Sequence, residues 1–131
     1  MEIQVQLWVR DTAAATRFYE RAFAASILHR VGHPNDPDGV VQLSVGGSQF
    51  WVSASSAEMR RFNAAELGGG TGRLLLVVEE PHAVLRAAVD AGATATSEVA
   101  DEHGWLVGRV VDPFGHEWEI ARPLGPWPPG A

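Results

Sequence analysis

The chain has 131 residues, 46% of them apolar and 20% charged, with a formal net charge of −6 and no cysteine. This is the size of one compact domain with enough apolar residues for a core; lacking thiols, it excludes disulfides, zinc–thiolate centres and cysteine nucleophiles, and it fits a reducing, cytoplasmic setting. The acidic balance and dispersed basic residues argue against nucleic acid and anionic membranes as partners. No apolar run reaches the roughly 18 residues of a bilayer span, and the opening MEIQVQLWVRD is unlike a signal peptide.

Taken in chain order, Ile3–Val9 reads as a strand, with Val5, Leu7 and Val9 alternating against Gln4, Gln6 and Trp8. Asp11 is placed to cap a helix from Thr12 to about Ala24, whose Ala15, Phe18, Tyr19 and Ala22 form an apolar stripe. A strand is expected near Ile27–Val31, then a loop Gly32–Gly39, then a hairpin of Val40–Val45 and Gln49–Ser53 around Gly46-Gly47-Ser48. Ser55–Leu67 has room for a short helix, and Gly68-Gly69-Gly70 reads as a joint. Arg73–Val78 is the next strand, and a helix starts at Glu80-Pro81 and closes at Gly92. Thr94–Val99 and Leu106–Val111 are strands flanking a loop at Asp101–Gly104. Asp112-Pro113-Phe114-Gly115 suits a type I turn before the last strand, His116–Ala121. The tail Gly125–Ala131 (GPWPPGA) reads as an extended arm.

The order strand–helix–strand–strand–strand therefore occurs twice. Gln4–Val9 with Asp11 aligns with Arg73–Val78 with Glu80, and Gly47–Val52 aligns with Gly115–Ile120. This predicts an α+β fold of two βαβββ modules in a single domain. Module one covers about 2–57, a linker 58–71, module two about 72–123 and a C-terminal arm 124–131. In each module the helix must cover one sheet face. The opposite faces would carry Gln4, Gln6 and Trp8; Gln49, Trp51 and Ser53; Arg73, Leu75 and Val77; and Glu117, Glu119 and Ala121. If the two sheets curve toward one another, these faces enclose a cleft suited to a small molecule.

The closing segment HGWLVGRVVDPFGHEWEIARPL and the opening WVRDTAAATRFYERAF together resemble the vicinal oxygen chelate superfamily, which includes glyoxalase I, extradiol dioxygenases, and bleomycin- and fosfomycin-resistance proteins. The nearest likeness is to its PhnB-like, uncharacterised bacterial branch. In metal-dependent members of that superfamily, four side chains of the uncovered face hold one divalent cation. The resemblance carries those positions onto Gln4, Trp51, Arg73 and Glu119 of this sequence. Glu119 is a good hard ligand and Gln4 a possible one, whereas an indole N–H only donates and a guanidinium has no lone pair to give. The expectation is a disabled metal site and no cofactor. In its place we expect a fork-type Arg73–Glu119 ion pair bridging the two halves, with Gln4 nearby.

The remaining candidates are weaker. None of the five histidines has metal-ligand spacing. His33 and His82 read as solvated and His116 as locally packed; His103, in the Asp101–Gly104 loop, is the one expected near a ligand. Trp8, Trp51 and Trp105 offer stacking area or simply fill the cleft, Trp118 belongs to the core, and Trp127 has the reach to pack on a partner subunit. Glu117 and Glu119 share a face, but catalysis by that pair is disfavoured because Arg73 is expected to occupy one of them. The leading expectation is a metal-independent binder of a small aromatic or anionic molecule, acting as a homodimer, with Gln4, Gln6, Trp8, Trp51, Arg73, His103, Trp105 and Glu119 as ligand-binding residues. The alternatives are a metal-dependent lyase or dioxygenase with an atypical ligand set including Glu119, and a structural dimer with a filled cleft.

Overall fold

The computed structural model describes residues 1–130, so the last residue of the arm lies outside the described residues. Module one is β1 (Val5–Val9), α1 (Thr12–Phe23), β2 (Ser26–Val31), β3 (Val40–Val45) and β4 (Ser48–Ala54). A four-residue helix, α2 (Ala64–Leu67), sits in the linker. Module two is β5 (Leu74–Val77), α3 (Pro81–Asp90), β6 (Thr94–Glu102), β7 (Trp105–Val111) and β8 (Glu117–Pro123). The strands form two four-stranded sheets of matching order, β1-β4-β3-β2 and β5-β8-β7-β6, each with one parallel pair and two antiparallel pairs. The duplicated α+β architecture expected from the sequence is thus the observed one.

Local chemistry explains the element ends. Asp11 caps α1, its Oδ1 accepting from the Ala14 N–H at 3.0 Å. Pro81 occupies the first turn of α3. The expected Asp112–Gly115 turn closes with Gly115 N–H donating to the Asp112 carbonyl at 3.0 Å. Gly115 itself has φ +89°, and a Cβ there would lie 2.4 Å from the Ala65 nitrogen, so α2 packs directly on this turn. Most strand ends differ from expectation by a residue or two, and the largest difference is at the end of β6. The Asp101–Gly104 loop is only a two-residue turn at His103 and Gly104, both at positive φ, and β6 runs on through Glu102. A tight hairpin turn needs just such residues in the left-handed region, and His adopts it more readily than branched side chains do.

The two helix-covered faces share one core. Trp118 of β8 packs against Tyr19 and Phe23 of α1 and Phe50 of β4, with ring centroids 5.6, 4.8 and 5.9 Å away. Tyr19, Leu43, Val52, Val110 and Ile120 are fully buried around them. Gly108 lets α3 approach β7, since a Cβ there would meet Leu85 at 2.6 Å. Contact between Phe50 and Trp118, both on helix-covered faces, requires those faces to oppose one another. The uncovered faces therefore point away from each other. The cleft expected between them within one chain is not formed, because the apolar faces gain more by sharing a core than the polar faces gain by meeting.

Asp112 is the polar centre of this junction. Its Oδ2 accepts from the Tyr19 hydroxyl at 2.5 Å and from the Trp118 indole N–H at 3.0 Å. Its Oδ1 accepts from the backbone N–H of Phe114 at 2.9 Å and of His116 at 3.0 Å. Nearby, Arg10 donates to the Pro113 carbonyl at 2.8 Å and lies 5.0 Å above the Phe114 ring, while the His116 ring meets the Trp8 carbonyl at 3.1 Å. Burial, and after it the Asp112 charge, pushes the Tyr19 phenol well above its ordinary value.

Two outcomes follow for stability. Tyr19→Phe should destabilise the fold by about 1–2 kcal/mol and Asp112→Ala by on the order of 3–5 kcal/mol in urea unfolding, because the second leaves several buried donors unpaired. Equal effects would contradict this assignment of Asp112. A raised phenol pKa means that the neutral-form stabilisation is complete below about pH 10 and drains away as pH rises toward the folded value. Tyr19 is the sole tyrosine, so tyrosinate absorbance in an alkaline titration should rise in one cooperative step, together with loss of circular dichroism. A gradual rise at about pH 10 with the fold intact would refute it.

Candidate functional site

The expected ligand-binding residues fall on both modules, and across the two only Trp8 and Arg73 line a common groove, beside the Gly69–Gly72 linker. Gln4, Gln6, Trp8 and Trp51 lie on module one; Arg73, His103, Trp105 and Glu119 lie on module two. On module one, the register places Gln6 beside Trp51 and Trp51 beside Gln42, making a row of amides and an indole across the sheet. Gln4 is its hub: its Oε1 accepts from Trp51 Nε1 at 2.7 Å and from Gln42 at 3.2 Å, and its amide donates to Gln49 at 2.8 Å and to Glu2. Trp8 is half-buried at the edge of this face, beside the Gly69–Gly72 linker and His116.

On module two, an ionic network covers the sheet. Arg73 straddles two carboxylates of β8, with Nη1 3.0 Å from Glu117 and Nη2 3.1 Å from Glu119. The expected Arg73–Glu119 pair thus exists, but it runs within module two and does not bridge the halves. Gln4 is not part of it, being bonded within module one to Trp51, Gln42, Gln49 and Glu2. The second guanidinium, Arg109 of β7, was not anticipated. Its Nε donates to Glu119 at 2.9 Å, Nη2 to Glu102 at 2.9 Å, and Nη1 to Glu102 at 3.0 Å and to Ser97 at 3.2 Å. The Arg109 hydrogen bonds hold the Glu102 carboxyl below the usual carboxylate range and push the guanidinium further above its own. By sign, Glu102's contribution to the network is present above the ordinary glutamate value and is lost as pH falls through its lowered one.

Glu102, Arg109 and Glu119 of this network form the floor of a pocket of about 390 Å³, lined also by Leu75, His103, Trp105, Val107, Ala121 and Trp127. Trp127 of the C-terminal arm stands edge-on to Trp105, with ring centroids 5.1 Å apart and planes at 71°. The arm residue expected on a partner subunit therefore packs on its own chain, against the half-buried Trp105. Register explains how the missed residues arrive here. Arg109 is directly opposite Glu119, and Glu102 opposite Trp105. Of the other histidines, His33 and His82 are exposed, and His116 makes the intermodule contact already described.

The donor set does not fit a divalent metal. The one Gln4 lone-pair oxygen already receives two N–H donors, the Trp51 indole can only donate, and the Arg73 guanidinium has no lone pair to give. Glu119 is shared by two guanidiniums. No group of three or more His, Cys, Asp or Glu residues suited to holding an ion occurs among the described residues. What the module-two face can do chemically is recognise: an ordered ionic floor, an apolar wall and two indoles converge on one concavity.

The sequence profile described as "Glyoxalase-like domain" matches residues 3–121. An uncharacterized protein of Mycobacterium tuberculosis is 32% identical over 122 residues, covering 90% of this chain and 72% of that protein. A gene product of Arabidopsis thaliana superposes with a TM-score of 0.74 at 31% identity, covering 92% of this chain and 98% of that one. The fosfomycin resistance protein FosX of Listeria monocytogenes, solved with Mn(II) and 1S,2S-dihydroxypropylphosphonic acid, superposes with a TM-score of 0.72 at 15% identity, covering 97% and 91%; at that identity the likeness is one of fold alone. With the duplicated βαβββ modules in place, this chain belongs to the glyoxalase-like domain family of the vicinal oxygen chelate superfamily.

Proposed function

We propose that this chain is a metal-independent small-molecule-binding protein of the glyoxalase/bleomycin resistance type, working in the cytoplasm, and that its ligand occupies the module-two pocket. The observation that carries this reading is the edge-to-face Trp105–Trp127 pair standing over the Arg109–Glu119 floor. A planar ligand laid against one indole meets the edge of the other and gains area at little side-chain entropy. The floor is already hydrogen-bonded, so its groups need no reorganisation to receive a ligand. The metal-dependent alternative has less support, because the carboxylate it would rely on is committed to two guanidiniums.

We further propose a homodimer in which module one of one copy covers module two of the other. Leu75 and Val77 of β5 support it: they lie on the uncovered face, 52% and 57% exposed, and an apolar pair so placed favours a covering surface. Module one's amide and indole face is a suitable cover for the pocket, since it brings hydrogen-bond capacity without a competing metal or charge cluster.

Both readings are open to measurement. Naphthalene-based probes should shift the Trp105 and Trp127 indole N–H resonances saturably, and Trp127→Ala should weaken binding about tenfold, roughly 1.4 kcal/mol. Failure of every probe to bind, or stoichiometric transition metal in purified protein with turnover, would sink the binding reading. In sedimentation equilibrium the wild-type chain should run at twice its 14.1 kDa mass, and Val77→Glu should run as a monomer with its fold retained. A monomeric wild type at micromolar concentration would end the dimer proposal.

A further inference from the structure

We infer that the module-two pocket selects an organic cation, an ammonium carried on an aromatic ring, over neutral or anionic ligands of the same shape. The inference rests on the binding reading above and adds the charge class. From the sequence alone, Arg73 suggested an anion. The geometry points the other way, because Arg109, the arginine that lines the pocket, is engaged by carboxylates, and Arg73 lies outside that lining.

The charge count comes first. The floor holds one guanidinium, Arg109, and two carboxylates, Glu102 and Glu119, and the Arg73–Glu117 pair adjoins it outside the lining without changing the count. Its sum is one negative charge. Donor capacity agrees with that sum. Arg109 directs four N–H vectors at Glu119, Ser97 and Glu102, and two atoms of Arg73 at Glu117 and Glu119. The acceptors are less fully used. Both guanidiniums converge on Glu119 Oε2, and Arg73 meets Glu117 through Oε1 alone, leaving Glu119 Oε1 and Glu117 Oε2 with lone pairs to offer. An incoming N–H⁺ group finds acceptors and a surplus negative charge, whereas an incoming carboxylate or phosphate meets net repulsion and, from Arg109, the guanidinium that lines the pocket, a single N–H not already directed at Glu119, Ser97 or Glu102.

The walls reinforce this. The electron-rich face of an indole attracts a cation within about 6 Å of its centre. Trp105 and Trp127 present two such faces at 71° to one another, a corner rather than a flat stack. The side chains of Arg109 and Glu119 are only 21% and 17% exposed, so the field of the floor is less screened than that of surface charges. Module one's face, the proposed cover, contributes amides and indoles from Gln4, Gln6, Trp8, Gln42, Gln49 and Trp51; the charged side chain bonded into it is Glu2, on Gln4, which keeps the sign negative, and His29 stands beside Gln42 on the far strand.

A matched probe series tests this by titration of the full chain: 1-naphthylmethylammonium, 1-naphthylmethanol and 1-naphthoate. The expected order is cation tightest, by about tenfold over the alcohol, with the carboxylate weakest. Glu117→Gln should weaken the cation about three- to fivefold and leave the alcohol unchanged, and Arg73→Gln should strengthen the cation by a similar factor. That gain separates charge selection from mere damage to the site, since a disordered floor would bind everything less well. The alcohol or the naphthoate binding as tightly as the cation, or Arg73→Gln weakening it, would overturn the charge assignment while leaving the pocket as a binding site. Absence of binding by all three would overturn the binding reading with it.

Discussion

Much of this molecule follows from the burial of one carboxylate. Asp112 accepts a phenol from α1, an indole from β8 and two amides of its own turn, so the hinge between β7 and β8 is fastened to the helix of the other module. A buried carboxylate is costly unless its lone pairs are filled, and here they are. The consequence is geometric. Once Tyr19, Phe50 and Trp118 share one aromatic cluster, the helix-covered faces are committed to each other and the polar faces must look outward. The location of any ligand site on the surface is thus decided in the core.

The two outward faces show how one architecture carries two chemistries. Equivalent positions in the repeat hold Gln4 and Trp51 in module one, and Arg73 and Glu119 in module two. In module one an amide accepts from an indole, and the partners are further glutamines. In module two the same positions are ionic and recruit Arg109 and Glu102. Duplication supplies the frame, and the side chains on each uncovered face, free of the packing demands of the core, can diverge.

The repeat, the fold class and most element boundaries were legible because each has a local cause: alternation in the strands, Asp11 and Pro81 at helix starts, Asp112–Gly115 at a turn. The faces of single strands were legible too, and Trp118 was correctly assigned to the core. The relation between the modules was not, because it depends on which of two amphipathic surfaces finds the better partner, and strand alternation is silent on that. Arg109 was within reach. A turn at Asp112–Gly115 pairs Val111 with Glu117 and therefore Arg109 with Glu119, so counting back along the hairpin identifies it. Glu102 was lost to an overlong loop: treating Asp101–Gly104 as irregular removed it from the sheet, where the two-residue turn at His103 and Gly104 puts it across from Trp105. Trp127 had no local signal, since a Pro- and Gly-rich arm fixes no strand or helix period from which to project a contact.

The ionic floor is better understood as positioning than as stability. Arg73 and Glu117 are 44% and 39% exposed, where an ion pair contributes little net free energy. Arg109 and Glu119 are more enclosed, and there the cost of desolvation offsets much of the attraction. What the network achieves is orientation. Arg109 is held from two sides by Glu102 and Glu119, and Glu119 from two sides by Arg73 and Arg109, so none of these long side chains is free to swing into the pocket or away from it. A ligand then meets a surface whose shape and field are fixed beforehand, and the entropy of ordering those side chains has been spent in folding rather than in binding. The same constraint disfavours a metal: with Glu119 Oε2 shared by two guanidiniums, a divalent ion would be left Oε1 alone, far short of a coordination set.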